Sequence, residues 1–211
     1  MEAGLILIFW YGILHAFGPD HLTAIADFSI GKERRKTLLI TTLFALGHGL
    51  SLFVFAKVLQ HTEISEELLS YGDVVSAMVI MGMGIYLLFL VMTQRIQLSK
   101  HMHEGKEHIH IWFGRSHEHN NAVNGSSFSL GLLMGAGGVR GMLITLGVVQ
   151  GGVVDLSMVA VFTLGVMLVF MGFGMFMFYI NKNFLGNIQN IRRAFTIAGV
   201  VSLLVGTNIL L

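Results

Sequence analysis

The sequence predicts an all-α integral membrane protein whose six transmembrane helices form two inverted three-helix repeats. Three observations lead to this fold class: long apolar runs, basic charge that alternates between the connections, and a weak similarity of the second half to the first. Of the 211 residues, 54% are hydrophobic and only 12% are charged, and the mean hydropathy is +0.74. A soluble domain has roughly twice that share of charged residues.

A helix needs about 20 mostly apolar residues to cross the roughly 30 Å hydrocarbon core of a bilayer. Backbone groups in hydrocarbon must be paired within the spanning segment, which favours helices for these continuous, non-alternating runs. The six predicted spans are 4–29, 37–59, 72–94, 128–150, 155–180 and 192–211.

The connections between these spans alternate in their content of Lys and Arg. The first connection, 30–36, holds four cations; the third and fifth also hold cations, whereas the second and fourth hold none. Because basic connections stay in the cytoplasm, we expect these three on that side, with both termini outside, in a prokaryotic cell membrane. No Lys or Arg precedes the first apolar run, so we expect the first span to remain in the mature protein.

The repeat is indicated by two aligned pairs of segments. Residues 12–18 align with 131–137 at an offset of 119, and residues 44–48 align with 162–166 at an offset of 118. Each unit would hold three helices, and an odd number inverts the second copy in the membrane, with a substrate site between the copies. The alternative is chance similarity between Gly-rich helices. The predicted organisation is a first repeat over 1–94, a His-rich cytoplasmic loop over 95–127 and a second repeat over 128–211.

Two imidazoles and a carboxylate lie within the first apolar span, at His15, Asp20 and His21. Ionisable groups in a span are costly and are kept where they face a partner, a cavity or an ion. In a regular helix His15 and His21 would be about 9 Å apart along the axis and point in different directions. Pro19, the only proline, removes a backbone donor to His15 and predicts a break, which Gly18 would ease. An opened turn would bring the polar groups together.

A further intramembrane histidine, His48, is flanked by two glycines that would let an ion or another helix approach. Imidazole and carboxylate together suit Ni, Co, Zn or Fe better than Mg or Ca. The predicted metal ligands are His15, Asp20, His21 and His48. The alternative is that these residues hydrogen-bond one another between helices without a metal.

Three other residues are predicted to support or gate the site: Asp27, Arg140 and Ser51. Asp27 follows Asp20 by two helical turns and lies on about the same face. The repeat matches Arg140 to His21, and a lone Arg in a span usually pairs with an acid.

The third connection is dense in histidine, with glutamates between. Such a tract indicates metal binding by composition, but its spacing fits no fixed zinc site, so we expect a flexible segment that buffers or senses metal. The predicted loop ligands are His101, His103, His108, His110, His117 and His119.

Composition also excludes some classes of protein. Without cysteine, disulfides and thiolate metal sites are impossible, and a net charge of +1 argues against a nucleic-acid partner. The chain has no ATP-binding loop and no His-Glu-x-x-His protease motif, so we expect neither an enzyme nor a prosthetic group. Two alternatives stay open: a membrane metalloenzyme or haem protein using His15 and His48, and a structural subunit that binds metal only in the loop.

The motifs His15-x4-Asp20-His21 and Leu46-Gly47-His48 resemble those of the nickel/cobalt transporter family. The short form looks similar to the branch of urease-accessory-like membrane permeases. The resemblance implies a secondary permease for Ni²⁺ or Co²⁺ that needs the four predicted ligands. Its expected partners are the lipid bilayer, the metal ion, and a cytoplasmic metallochaperone or an energising subunit.

The chain also departs from the family pattern. Gly18 stands where high-affinity uptake members usually carry Asp, and residues 137–141 read Gly-Gly-Val-Arg-Gly instead of an acidic motif. The signature favours import, whereas a His-rich loop resembles some efflux members of the family.

Overall fold

The structure, a computed structural model, describes residues 2–61, 66–103, 106–113, 125–137 and 155–211. These residues form seven helices and one antiparallel hairpin. In chain order the elements are α1 Glu2–Ala16, α2 Pro19–Ser29, α3 Arg34–His61, α4 Glu66–Met92, β1 Ile96–His103, β2 Lys106–Phe113, α5 over 125–137, α6 Leu156–Phe184 and α7 Ile188–Leu210.

Four of these helices are long and apolar enough to cross a membrane: α3 over Arg34–Phe55, α4 over Ser70–Met92, α6 and α7. The pair α1 and α2 passes the same test as one broken span, bent by 60°. The described chain is therefore helical wherever it is apolar enough to span, with four or five candidate spans. Of the predicted span 128–150, residues 138–150 lie outside the described part.

The first predicted span, 4–29, is not one continuous helix. Helix α1 ends at Ala16, and α2 begins at Pro19. Proline is well tolerated at the first position of a helix, because the N–H that it lacks would have no partner within the helix. The predicted break at Pro19 is confirmed.

The third connection differs from the flexible segment that its composition indicated. Strands β1 and β2 pair antiparallel from Ile96 opposite Phe113 to His103 opposite Lys106. Helix α5 begins at residue 125, two residues before the predicted end of the loop. Histidine and apolar residues alternate in β2, and such alternation is typical of a β-strand. The histidine content alone does not indicate this.

Glycines let the helices approach closely. Helix α1 packs against α6, α3 against α6 and α4 against α7, and α2 contacts α3, α4, α6 and α7. A Cβ atom at Gly12 would collide with the backbone carbonyl of Phe162, and one at Gly131 with that of Phe44. Without a hydrophobic driving force in lipid, such close backbone packing is a main source of helix association.

The connection between α2 and α3 is fixed by a side chain of α6. Asn181 Oδ1 accepts a hydrogen bond from Gly31 N at 3.0 Å, and its Nδ2 donates to Ser29 O at 2.7 Å and to Lys32 O at 3.1 Å. Gly31 adopts a φ of 73°, which glycine tolerates without strain. Burial lowers the pKa of Lys32, and the nearby charge of Lys36 lowers it further.

Candidate metal site

The break in the first span brings His15 and His21 together. The chain turns through hydrogen bonds from Phe17 N to Leu14 O and from Gly18 N to His15 O. The centroids of the two imidazole rings then lie 4.7 Å apart, whereas a regular helix would separate the residues by about 9 Å along its axis. The predicted convergence of these two histidines is confirmed.

His48 of α3 completes a cluster of three imidazoles. Its ring centroid lies 5.3 Å from that of His15 and 4.7 Å from that of His21. The Nε2 atoms of His15 and His48 are 3.1 Å apart, a distance at which one nitrogen donates and the other accepts. One ring nitrogen from each residue lies within 4.8 Å of the other two. Three imidazole nitrogens at this separation can surround one divalent transition-metal ion.

Asp20 is placed behind this cluster instead of inside it. Its Oδ1 lies 2.7 Å from His21 Nδ1, and the group that could hold a metal consists of the three histidines. A carboxylate that accepts the Nδ1 proton leaves Nε2 of His21 as a lone-pair donor and fixes the ring orientation. The geometry therefore favours Asp20 as a residue that orients His21, where the sequence suggested a direct ligand.

Two ring nitrogens of the cluster are buried without a partner in the described part of the chain. They are His21 Nε2 and His48 Nδ1, on residues that are 3% and 1% exposed. Buried polar atoms are normally hydrogen-bonded, so two unpaired nitrogens within one histidine cluster are consistent with a site for a ligand. His21 Nε2 is the nitrogen that the bond to Asp20 would leave free.

Three phenylalanine rings enclose the cluster. Phe162 lies 5.4 Å from the His15 ring, Phe170 lies 5.8 Å from the His21 ring, and Phe44 stacks at 6.3 Å on the His48 ring. Such apolar walls exclude water and strengthen any interaction between an ion and the imidazoles. Two of these rings belong to α6, so both halves of the chain contribute to the enclosure.

Gly18 has no side chain, and this leaves the space that the Asp20 carboxylate and the His21 imidazole occupy. A Cβ atom there would lie 2.5 Å from Asp20 Oδ1 and 2.8 Å from His21 Nδ1. At the opposite side, a Cβ atom at Gly135 of α5 would lie 2.7 Å from His48 O. An added side chain at either glycine would therefore require neighbouring atoms of the site to shift.

The residues predicted to support or gate the site have different positions. Asp27 is buried on α2, outside the three-histidine group, and its Oδ2 lies 2.8 Å from the hydroxyl oxygen of Ser202 on α7. Ser51 is buried one turn after His48, with its Cβ against the position of Gly135. Arg140, and with it any pairing to Asp20 or Asp27, lies outside the described residues.

The loop histidines are described only by their backbone register. His101 is opposite His108, His110 is opposite Ser99, and His103 is opposite Lys106. His117 and His119 lie outside the described residues.

Sequence reasoning missed Phe162, Phe170 and Ser202. Phenylalanine and serine are common in apolar helices, so nothing in the pattern distinguishes those that contact the site. An intramembrane carboxylate such as Asp27 does demand a partner, but the sequence does not indicate which hydroxyl on which helix provides it.

Comparison of the chain with protein-family models, with curated proteins and with solved structures found no match. The resemblance to nickel/cobalt transporters therefore depends on the short motifs of the first three helices.

Proposed function

We propose that this protein is a secondary transporter of a divalent transition-metal ion, with Ni²⁺ or Co²⁺ as its substrate. The observation that carries the proposal is the cluster of buried His21 and His48 with half-buried His15, in which Asp20 contacts His21 and phenylalanine rings pack around the imidazoles. Neutral imidazoles bind borderline transition metals and have little affinity for Mg²⁺ or Ca²⁺. Ionisable residues that are kept within apolar helices commonly mark a pathway for ions.

The inverted repeat is part of the proposal, and the helix contacts support it. Gly12 lies against Phe162, and Gly131 lies against Phe44. In the repeat alignment Gly12 corresponds to Gly131 at the offset of 119, and Phe44 corresponds to Phe162 at the offset of 118. The Gly12–Phe162 contact therefore becomes the Gly131–Phe44 contact when each residue is replaced by its counterpart in the other half of the chain.

A second pair of contacts obeys the same rule. Gly165 lies against the backbone of Phe9, and Gly47 lies against the backbone of Phe128. Phe9 corresponds to Phe128 and Gly47 to Gly165 at the same offsets. Both exchanges relate the α1–α6 contact to the α3–α5 contact, and their agreement supports the repeat over chance similarity. The histidine cluster then lies at the junction of the repeats, the usual position of a transported substrate.

The proposed repeat implies six spans, and the alternation of basic connections favours both termini outside. The chain has no cysteine, so single introduced cysteines report their side of the membrane without background labelling. In intact cells, Glu33→Cys and Gly186→Cys should resist an impermeant maleimide, whereas Asp155→Cys should react. All three residues are exposed. Labelling of all three from one side would contradict the topology.

Import is favoured by the motif of the first span, and export is the second candidate because of the histidines in the β1–β2 hairpin. Histidines on the cytoplasmic side would collect metal before its expulsion. A cytoplasmic metallochaperone or an energising subunit would fit either direction.

A haem protein is less compatible with the geometry. Bis-histidine ligation by His15 and His48 would require a porphyrin between their rings, but the His21 ring lies 4.7 Å from both centroids. The third imidazole occupies the region that the macrocycle would need.

The direct test is the flux of Ni²⁺ and Co²⁺ into proteoliposomes. We expect wild-type flux to fall at least tenfold in His15→Ala, His21→Ala and His48→Ala. His61→Ala is a matched control, because His61 lies on the same helix as His48 and about 20 Å further along it. Wild-type protein that is folded and moves neither metal would refute secondary transport of these ions.

A further inference from the structure

A buried carboxyl group on α2 stands apart from the three-histidine cluster. Asp27 follows His21 by six residues, about 9 Å along the helix, and is only 9% exposed. Its Oδ1 has no hydrogen-bond partner among the described residues. An ionised carboxylate within a span is strongly disfavoured unless a cation or several donors neutralise it. Asp27 must therefore be either protonated or bound to a ligand, and the three-histidine cluster explains neither.

The hydrogen bonds around Ser202 indicate which state the structure represents. The Ser202 hydroxyl oxygen lies 2.8 Å from Asp27 Oδ2 and 2.8 Å from Ala198 O. A hydroxyl has one hydrogen to donate, so it cannot donate to both oxygens at full strength. If Asp27 is protonated, its Oδ2–H donates to Ser202, and Ser202 donates to Ala198. With Asp27 protonated, the carboxyl O–H and the Ser202 O–H each have one acceptor. Only Asp27 Oδ1, which is an acceptor, has no partner among the described residues.

A cavity connects this carboxyl group to the end of the helix bundle. The cavity has a volume of about 410 Å³ and lies between α2, α6 and α7. Asp27 and Ala198 line it near Ser202, and Asn181, which fixes the α2–α3 connection, lines it as well. This volume has room for several water molecules, each of which occupies about 30 Å³ in the liquid, and the polar lining residues Thr23, Asp27 and Asn181 are the groups that could bind them. Asp27 is the only ionisable residue among those that line it.

The charged groups on the helices packed against α2 lie elsewhere. None of the described ones lines the cavity. The charged residues and histidines of the neighbouring helices are Arg34, Arg35, Lys36, His48, Lys57 and His61 on α3, Glu66, Glu67 and Asp73 on α4, Lys182 on α6, and Arg192 and Arg193 on α7. Asp27 therefore faces the cavity without another ionisable side chain in the lining.

We propose that Asp27 is a proton-binding site that couples metal movement to a proton gradient, at a position separate from the three histidines. The inference rests on the proposed transport function. In the conformation described, Oδ2 holds the proton and donates it to the Ser202 hydroxyl. When the helices rearrange, the O–H bond breaks, the proton passes to water and the carboxylate takes a new proton on the other side. One proton is bound and one released, and no other bond changes.

Two variants test the proposal in proteoliposomes loaded with a pH-sensitive dye. Asp27→Asn mimics the protonated carboxyl permanently. We expect it to keep Co²⁺ binding and Co²⁺-for-Co²⁺ exchange, and to lose both stimulation by a pH gradient and metal-linked proton movement. Asp155→Asn is the matched control, because Asp155 is an exposed helix cap and asparagine caps equally well. Metal-linked proton movement in Asp27→Asn equal to that of wild type would overturn the proposal.

An infrared measurement separates this inference from the proposed function. The difference spectrum between wild type and Asp27→Asn at neutral pH should contain the C=O stretching band of a protonated carboxyl group. Absence of this band overturns the Asp27 proposal whether or not the protein transports metal. If the band is present and folded wild-type protein moves no metal, the transport function fails and the coupling role of Asp27 fails with it, although the bound proton is established.

Discussion

Replacement of Asp20 tests how the metal site is built. Asp20 Oδ1 lies 2.7 Å from His21 Nδ1 and outside the three-histidine group, so we expect it to orient the imidazole without binding the ion. Loss of such an outer partner typically weakens metal binding about 10–100-fold, which corresponds to about 1.4–2.7 kcal/mol. Asp20→Asn keeps an oxygen acceptor and loses the charge, so we expect a change near tenfold. Asp20→Ala frees the ring and should approach a hundredfold.

The assay is titration of detergent-solubilised protein with Co²⁺, whose absorption bands report coordination by nitrogen. The six loop histidines are replaced by glutamine in every sample, so that only the helical site is measured. Asp155→Asn serves as the control for loss of an exposed carboxylate. Unchanged affinity in Asp20→Ala would refute the orienting role. A loss beyond about a thousandfold, similar to that of a removed histidine, would show that Asp20 is a direct ligand.

The remaining predictions concern close contacts. Gly18→Ala should weaken Co²⁺ binding at least tenfold, measured by the same titration, because its Cβ would separate the carboxylate–imidazole pair; unchanged binding would contradict the packing. Gly131→Ala should destabilise the protein by about 1–3 kcal/mol in detergent unfolding, whereas Gly82→Ala, with open space around it, should change stability little. Asn181→Ala removes three hydrogen bonds of about 1 kcal/mol each, and should speed proteolysis of the α2–α3 connection. Asn183→Ala, which loses one exposed hydrogen bond, should leave the rate of proteolysis unchanged. Equal rates of proteolysis in the two variants would contradict the role of Asn181 in fixing the α2–α3 connection.

The sequence was sufficient to predict long apolar helices, four or five of which the described residues contain as candidate spans, because hydropathy and length determine what can span a bilayer. It also predicted the break at Pro19 and the convergence of His15 and His21, since a proline inside a helix has a specific effect on the hydrogen bond four residues back. These predictions depend on local chemistry. The role of Asp20 could not be separated from that of a ligand, because imidazole and carboxylate spacing is the same in both cases.

Contacts between distant helices were beyond the reach of the sequence pattern. The pairing of Asp27 with Ser202 joins residues 175 positions apart, and the phenylalanines of α6 close a site whose ligands lie on α1 to α3. The repeat aligned residues 44–48 with 162–166, but that alignment alone did not show that Phe162 would contact the His15 ring. Such contacts depend on the three-dimensional arrangement of helices, which apolar composition does not encode uniquely.

The most direct test of the account is the coordination of bound metal. X-ray absorption of Co²⁺-loaded protein, with the six loop histidines replaced by glutamine, should show one ion per chain with imidazole scattering from three histidines. His48→Ala should reduce the number of imidazoles by one or abolish binding. Stoichiometric binding with oxygen ligands alone, or no binding to folded protein, would contradict a metal site formed by His15, His21 and His48.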